Sequence, residues 1–320
     1  AQAFRTPDLR KKILISLMMM TLYRMGTFIP APGVSSQNIN ACLAQTRETG
    51  MLDMFNLFSG GALLQLSVFA LGILPYITSS IIMQVMRVAI PRLDDLHQEG
   101  QTGQTKITQY TRYLTVFLAV LQSTTMLTLA LNGQMFPGCS HDVIPNGNFL
   151  VYLFIILAMT TGTVVIMWFA EIITERGVGN GMSLLIFTSI IASMPTQLAD
   201  IWQGSGGWSK VLIIVVIILA VTVVVVFVES AQRRIPVQYA RRMVGRRTYG
   251  GTTTYIPLKI NMAGVIPVIF SSSVMMLPSM IAQFADPEAK WAQWIQINMS
   301  RTSMWYLGTE ALLILGFAYL

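Results

Sequence analysis

Between Lys210 and Glu229 the chain runs for 18 residues with Thr222 as its one polar side chain. A helix of about 20 apolar residues crosses the hydrocarbon core of a bilayer. Inside that core only internally bonded backbone is tolerated, so such a run has one stable fold. Comparable stretches recur at 13–29, 62–90, 114–131, 150–173, 183–202, 211–228 and 262–285, and another begins near 305 and runs to 320. The pattern predicts seven complete spans and part of an eighth. Alternating segments of a membrane barrel do not occur. No small-x-small cleavage site follows the first span; Phe28-Ile29-Pro30-Ala31-Pro32-Gly33 follows instead, so it reads as a retained helix.

Charge sharpens this reading. Only 11% of residues are charged, against about 25% in soluble domains, too few to cover a water-facing globule of 320 residues. Disorder is excluded by the 53% hydrophobic content. Sixteen of the 21 Lys and Arg residues fall on the N-terminal side of the predicted spans, and only Arg47, Lys210, Lys290 and Arg301 on the other. Positive loops stay inside, which places the N-terminus in the cytoplasm. Cys42 and Cys139 fall on the far side, where they pair or stand free; the sequence leaves both open. The missing initiator Met and the apolar run from Leu312 to Leu320 lead us to expect a piece of a longer protein.

Several features break the regularity of a simple bundle. Residues 51–90 are too long for one crossing, and Ser59-Gly60-Gly61 and Gly72-Ile73-Leu74-Pro75 interrupt them. A short helix entering from outside and then a full span accounts for the length; a surface helix followed by a kinked span is the plainer alternative. Broken backbone at membrane depth is tolerated where it is buried or lines a cavity. Arg24 lies inside the first span, at a cost of roughly 2.5–3.5 kcal/mol on insertion scales. It either contacts a partner helix or pore, or is buried or snorkelling. Polar residues at Thr78-Ser79-Ser80, Gln84, Gln122-Ser123-Thr124-Thr125 and Ser271-Ser272-Ser273 serve as packing glue or as a seam that opens. Gly177–Gly181 is a tight loop in which Asn180 or Ser183 caps the next helix; it lacks the lysine and the strand–helix setting of a phosphate loop.

Residues 229–261 carry three Arg-Arg pairs within 15 residues, interleaved with Tyr239, Tyr249 and Tyr255. This suits RNA phosphates or anionic lipid, with steep salt dependence; a plain topogenic loop is the alternative. No zinc, serine-hydrolase or dithiol motif occurs, and the acids in the spans are few, Glu171 and Glu310. The sequence predicts no metal, no cofactor and no enzyme. Scarce buried ionisable groups favour a passive conduit over a coupled carrier.

These motifs together resemble the SecY family of protein-conducting channel subunits. They include Met54-Phe55-Asn56-Leu57-Phe58-Ser59-Gly60-Gly61-Ala62, Phe69-Ala70-Leu71-Gly72-Ile73-Leu74-Pro75-Tyr76-Ile77 and Gln109-Tyr110-Thr111-Arg112-Tyr113. Ile173-Thr174-Glu175-Arg176-Gly177-Val178-Gly179-Asn180-Gly181, Gln232-Arg233-Arg234-Ile235-Pro236 and Pro257–Pro267 extend the match. The resemblance implies an all-α polytopic fold of ten spans in two inverted five-helix halves. Residues 1–205 would be the first half and 206–320 the start of the second. A re-entrant plug would occupy about 52–66, with Leu52, Phe55, Asn56, Phe58, Gly60 and Gly61. A pore ring would be formed by Ile73, Ile77, Ile186 and Ile269, with Met182 beside it. A lateral gate would involve Thr78, Ser80, Gln84, Gln122 and Ser272. Docking of ribosome and SecA would fall to Arg246 and Arg247, then Arg233, Arg234 and Lys259. The implied partners are SecE and SecG, the SecA ATPase, the ribosome, signal sequences and preproteins and anionic lipids, with YidC and SecDF as further ones. The implied location is the bacterial plasma (inner) membrane. A secondary transporter of a small solute would instead need a polar site and a coupling carboxylate at mid-membrane, and a non-conducting scaffold would need neither plug nor ring.

Overall fold

Caps and prolines decide where this chain becomes helix. The computed structural model describes residues 6–45, 59–133, 135, 139, 143–145, 147–203, 207–237, 242–244, 247–249, 254–259, 264, 267–268, 271–272, 274–275, 278, 282, 289–298 and 303–319. In chain order these form α1 (Pro7–Gly26), α2 (Ser36–Gln45), α3 (Leu74–Ala89), α4 (Pro91–Gln98), α5 (Gln101–Leu131), α6 (Phe149–Arg176), α7 (Gly181–Gln203) and α8 (Gly207–Ser230). Four strands come next, β1 (Gln232–Val237), β2 (Arg242–Val244), β3 (Arg247–Tyr249) and β4 (Thr254–Lys259), then α9 (Lys290–Asn298) and α10 (Met304–Tyr319). Two compact units result, Ala1–Gln197 with Met280–Arg301, and Leu198–Ser279 with Thr302–Leu320.

Helices α5, α6, α7 and α8 are long and apolar enough to cross a membrane, so the chain is a multi-pass membrane protein. Pro75 and Pro91 open α3 and α4 in the first turn, where a missing N–H costs nothing. Asn180 caps α7, its Oδ1 accepting from the Met182 N–H at 3.0 Å; this decides between the two caps expected. Pro195 lies inside α7, and the helix continues through it.

Two expectations change. The sequence predicts a span over 62–90, yet helix begins only at Leu74. Residues 59–73 run through successive turns, with positive φ at Gly60, Gly61, Leu66 and Gly72, a region that glycine enters freely. The basic segment 229–261 is not plain loop. β1 pairs antiparallel with β4, Gln232 facing Lys259 and Val237 facing Thr254, and β2 pairs with β3. Its alternating Ile, Val and Tyr suit strands, a signal masked by the arginines. The span predicted at 262–285 lies largely outside the described residues.

In the first unit, α5 packs against α3, α4 and α6, and α1 against α6. The main apolar cluster joins Ile39 and Cys42 of α2, Leu63, Leu66 and Leu71 of the turn segment, Met126 and Ala130 of α5, and Ile155 and Met159 of α6. Cys42 and Cys139 are bonded across it, with Cα atoms 5.3 Å apart, inside the range a disulfide needs. Pairing, one of the two open alternatives, is what the structure contains. In the second unit the Ser271 hydroxyl donates to the Glu310 carbonyl of α10 at 3.1 Å.

Candidate functional site

The turn segment 59–73 is the most buried stretch outside the helices. Ser59, Ala62, Leu63, Leu66, Ser67, Ala70, Leu71 and Ile73 are each at most 2% exposed. The loop after α1 holds it by backbone bonds: the Ala31 N–H donates to Leu66 O at 3.0 Å and the Val68 N–H to Ile29 O at 2.9 Å. Close approach from α6 is possible because residue 162 is glycine; a Cβ there would stand 2.0 Å from the Val68 carbonyl oxygen. Phe69 stacks on Tyr23 of α1, ring centroids 6.1 Å apart, and meets Phe169 of α6 edge-on. Tyr23 in turn shares a 2.7 Å hydrogen bond with Ser189 of α7.

At the entry to this segment stands Arg24. Its Nη1 donates to the Gly60 carbonyl at 2.6 Å, and its guanidinium lies 4.7 Å from the Phe28 ring centroid. It sits in the last turn of α1, where the helix dipole favours a cation. The sequence offered a partner helix or pore, or burial or snorkelling, for Arg24; the contact found is with the turn segment and the side chain is half-buried. Its partner is a backbone carbonyl.

Ile73 and Ile77 begin α3 one turn apart, joined by the Ile77 N–H to Ile73 O bond of 3.1 Å, and both are buried. Ile186 is half-buried on α7, as is Met182. Ile269 lies outside the described residues, as do Leu52, Phe55, Asn56, Phe58 and Arg246; Gly60 and Gly61 lie within them.

The polar side chains of the spans mostly bond their own helix. The Thr78 hydroxyl donates to Leu74 O, Thr124 to Val120 O and Thr125 to Leu121 O. Ser79, buried, reaches across to donate to the Thr111 carbonyl of α5 at 2.7 Å. Thr78 and Ser80 are half-buried on α3, Gln84 is exposed there, Gln122 is buried on α5, and Ser272 belongs to the second unit. Toward the N-terminal end of α5, Arg112 grips Glu171 of α6 with two bonds of 2.8 Å. The sequence gives no sign of this pair, because 59 residues separate its members. Nor does it show Tyr23–Ser189, whose one signal is a tyrosine beside an in-span arginine.

Arg233, Arg234 and Lys259 are exposed on the β1–β4 ribbon. Side chains alternate along a strand, so Arg233 and Arg234 take opposite faces; Lys259 pairs with Gln232 and shares the face of Arg234. Arg247 lies in β3 opposite Val244. Among the described residues no three His, Cys, Asp or Glu converge to hold a metal.

Repeated membrane-length helices with a broken, turn-rich segment buried against them are an architecture that membrane transport proteins use. A family profile described as SecY matches residues 67–320. The protein translocase subunit SecY of Streptomyces scabiei is 51% identical over 309 residues, 95% of this chain and 71% of that protein. The same subunit of Micrococcus luteus is 52% identical over 326 residues, 100% of this chain and 74% of that one. The chain belongs to the SecY family of protein translocase subunits. Its fold matches a solved protein-conducting channel with a TM-score of 0.56 at 17% identity, over 90% of this chain and 59% of that one. It also matches Sec61 in a canine ribosome–channel complex, TM-score 0.55 at 16% identity, over 90% of this chain and 60% of that one.

Proposed function

We propose that this chain is the pore-forming subunit of a bacterial protein-conducting channel, passing preproteins across the plasma membrane and membrane proteins into it. The observation that carries the reading is the buried, turn-rich segment 59–73 leading into Ile73 and Ile77. Such backbone needs either burial or a pathway, and the family supplies the pathway. Residues 52–66 act as the plug. Ile73, Ile77, Ile186 and Ile269 form an apolar ring that fits an extended chain without trapping its charges and dewets when empty. Thr78, Ser80, Gln84, Gln122 and Ser272 serve the lateral gate, and residues 1–205 and 206–320 are the inverted halves. The subunit itself performs no chemistry; driving force comes from SecA or from the translating ribosome, with SecE and SecG as fellow subunits. The Cys42–Cys139 disulfide supports an N-terminus in the cytoplasm, because that orientation puts both cysteines in the oxidising compartment.

The test stalls a secretory precursor in the full-length channel carrying a photo-crosslinker at Ile77 or at Ile269. Adducts from both positions to the mature part of the precursor are expected. Adducts to the signal sequence alone, or none with transit shown by protease protection, would overturn the ring.

Arg246 and Arg247 lead the docking surface, with Arg233, Arg234 and Lys259 beside them. Charge reversal at Arg246 and Arg247 is expected to weaken SecA and ribosome binding at physiological salt, with insertion into the membrane unchanged. Wild-type binding should itself fall steeply with salt. Undiminished binding of the reversed variant in a co-sedimentation assay would remove this assignment.

A further inference from the structure

We infer that α9 is an interfacial helix whose exposed face, Trp291, Trp294 and Ile297, lies among the lipid headgroups of the outer leaflet. The inference rests on the orientation proposed above, which puts α9 outside. α9 runs from Lys290 to Asn298 and belongs to the first unit. With 9 residues it is about 14 Å long, too short to cross a bilayer. Nor is it built to stand free in water. Ala292 is buried and Ile295 half-buried, so one side rests on protein. Trp291, Trp294 and Ile297 are each at least half exposed. Their spacing of three sets them within about a third of the helix circumference, on the side away from Ala292. Together they leave a large apolar surface that the described residues do not cover.

The chemistry of this face selects lipid. Helices that meet one another in a membrane do so through small residues, and this stripe carries two of the bulkiest side chains there are. Trp has a broad apolar body and one N–H donor, and it settles where hydrocarbon meets water. The rest of the chain uses Trp in the same way. Of the six in the sequence, Trp202, Trp208, Trp291, Trp294 and Trp305 all fall on the outer side in the proposed orientation. Trp202 and Trp208 lie with ring centroids 4.9 Å apart where α7 ends and α8 begins, and both are more than half exposed. Those are the ends of two helices of membrane length, which is the level of the headgroups. Charge agrees with this. α9 contains no acid, and Lys290 is exposed in its first turn, the end at which the helix dipole disfavours a cation. A lipid phosphate beside Lys290 supplies the counter-charge.

The test uses the full-length chain, assembled with its natural partner subunits in lipid vesicles. An environment-sensitive thiol label is placed at Ile297→Cys on the stripe, and separately at Gln293→Cys, an exposed polar position. The native cysteines are bonded to each other and take no label. Lipids with a nitroxide at headgroup depth should quench the label at 297 several-fold more than the label at 293. Aqueous iodide should quench in the reverse order. Equal quenching by iodide at both positions would overturn the anchor, because the stripe then faces water. A label at 297 shielded from both quenchers would overturn it too, by showing that another subunit or a second copy covers the stripe. Should Ile297→Cys fail to assemble, the unlabelled channel is measured in brominated lipid. The double variant Trp291→Phe with Trp294→Phe should then show less lipid-quenchable tryptophan emission than the wild type; equal quenchable emission would overturn the anchor. Orientation is read separately, by a membrane-impermeant maleimide on intact cells carrying Gln293→Cys. Labelling is expected. No labelling, with lipid quenching at 297 intact, would overturn the orientation and the outer leaflet with it, and leave the helix at the inner surface.

Discussion

Gly162→Ala is expected to destabilise the assembled channel by about 3 kcal/mol, at the upper end of ordinary overpacking. The new Cβ would stand 2.0 Å from the Val68 carbonyl oxygen and 2.8 Å from its carbon. Both are backbone atoms of a segment tied down on its other side by Ile29. No rotamer change relieves the clash, so α6 must retreat from the turn segment. Gly308→Ala is the matched control: it lies in α10 with nothing within 4 Å of its Cβ. There the substitution should be neutral or gain up to about 1 kcal/mol from helix propensity. The readout is the thermal midpoint of the purified full-length complex in one detergent. An unchanged midpoint for Gly162→Ala would mean that α6 does not approach Val68 this closely.

The second large effect belongs to the disulfide. It closes a separation of 97 residues between α2 and the segment after α5. For a free chain in water the loop-entropy relation gives about 4.7 kcal/mol for 100 residues. Here the loop's ends are tethered by spans that stay in the bilayer when packing is lost, so the unlinked state has less freedom to gain. Replacing Cys42 and Cys139 together by Ser should then cost about 2–3 kcal/mol. The same drop in midpoint should appear in the wild type on adding reductant, and none in the double variant. Alkylation supplies an independent check: without reductant neither thiol should be labelled. Labelling of two thiols in the untreated protein would refute the bond.

The spans were legible because bilayer physics reads length and polarity, both of which the sequence states outright. α6 and α8 match their predicted runs to within a few residues at each end. The boundaries that moved did so for local reasons. Gly60, Gly61 and Gly72 turn the backbone where apolar composition alone suggested continued helix. Gln101 to Tyr113 continue α5 beyond the apolar run, since Gln, Lys and Arg are good helix formers in water. The ribbon at 232–259 was hidden because the arginines drew attention to charge and away from the alternation of Ile, Val and Tyr. At the candidate site the sequence singled out Arg24 and the breaks at Ser59-Gly60-Gly61 and Gly72–Pro75, while Ile77 stood out only through the family resemblance. The sequence could not say that Arg24 meets Gly60, or that Tyr23 meets Ser189 across 166 residues. Contacts of that kind depend on which faces of three elements turn toward one another, and apolar periodicity carries no such information in a helix whose whole circumference is apolar.

The β1–β4 ribbon has one more property. A two-stranded ribbon leaves two open edges, and an open edge invites a further strand from another chain. This one carries Pro236 opposite Tyr255 and Pro257 opposite Arg234, one proline in each strand. Proline has no N–H to offer a newcomer, and the exposed Arg233 and Arg234 crowd the same short stretch with charge. Backbone-to-backbone extension is thus blunted on both sides. Whatever settles on this ribbon must read its side chains, and can leave again without unzipping a ladder.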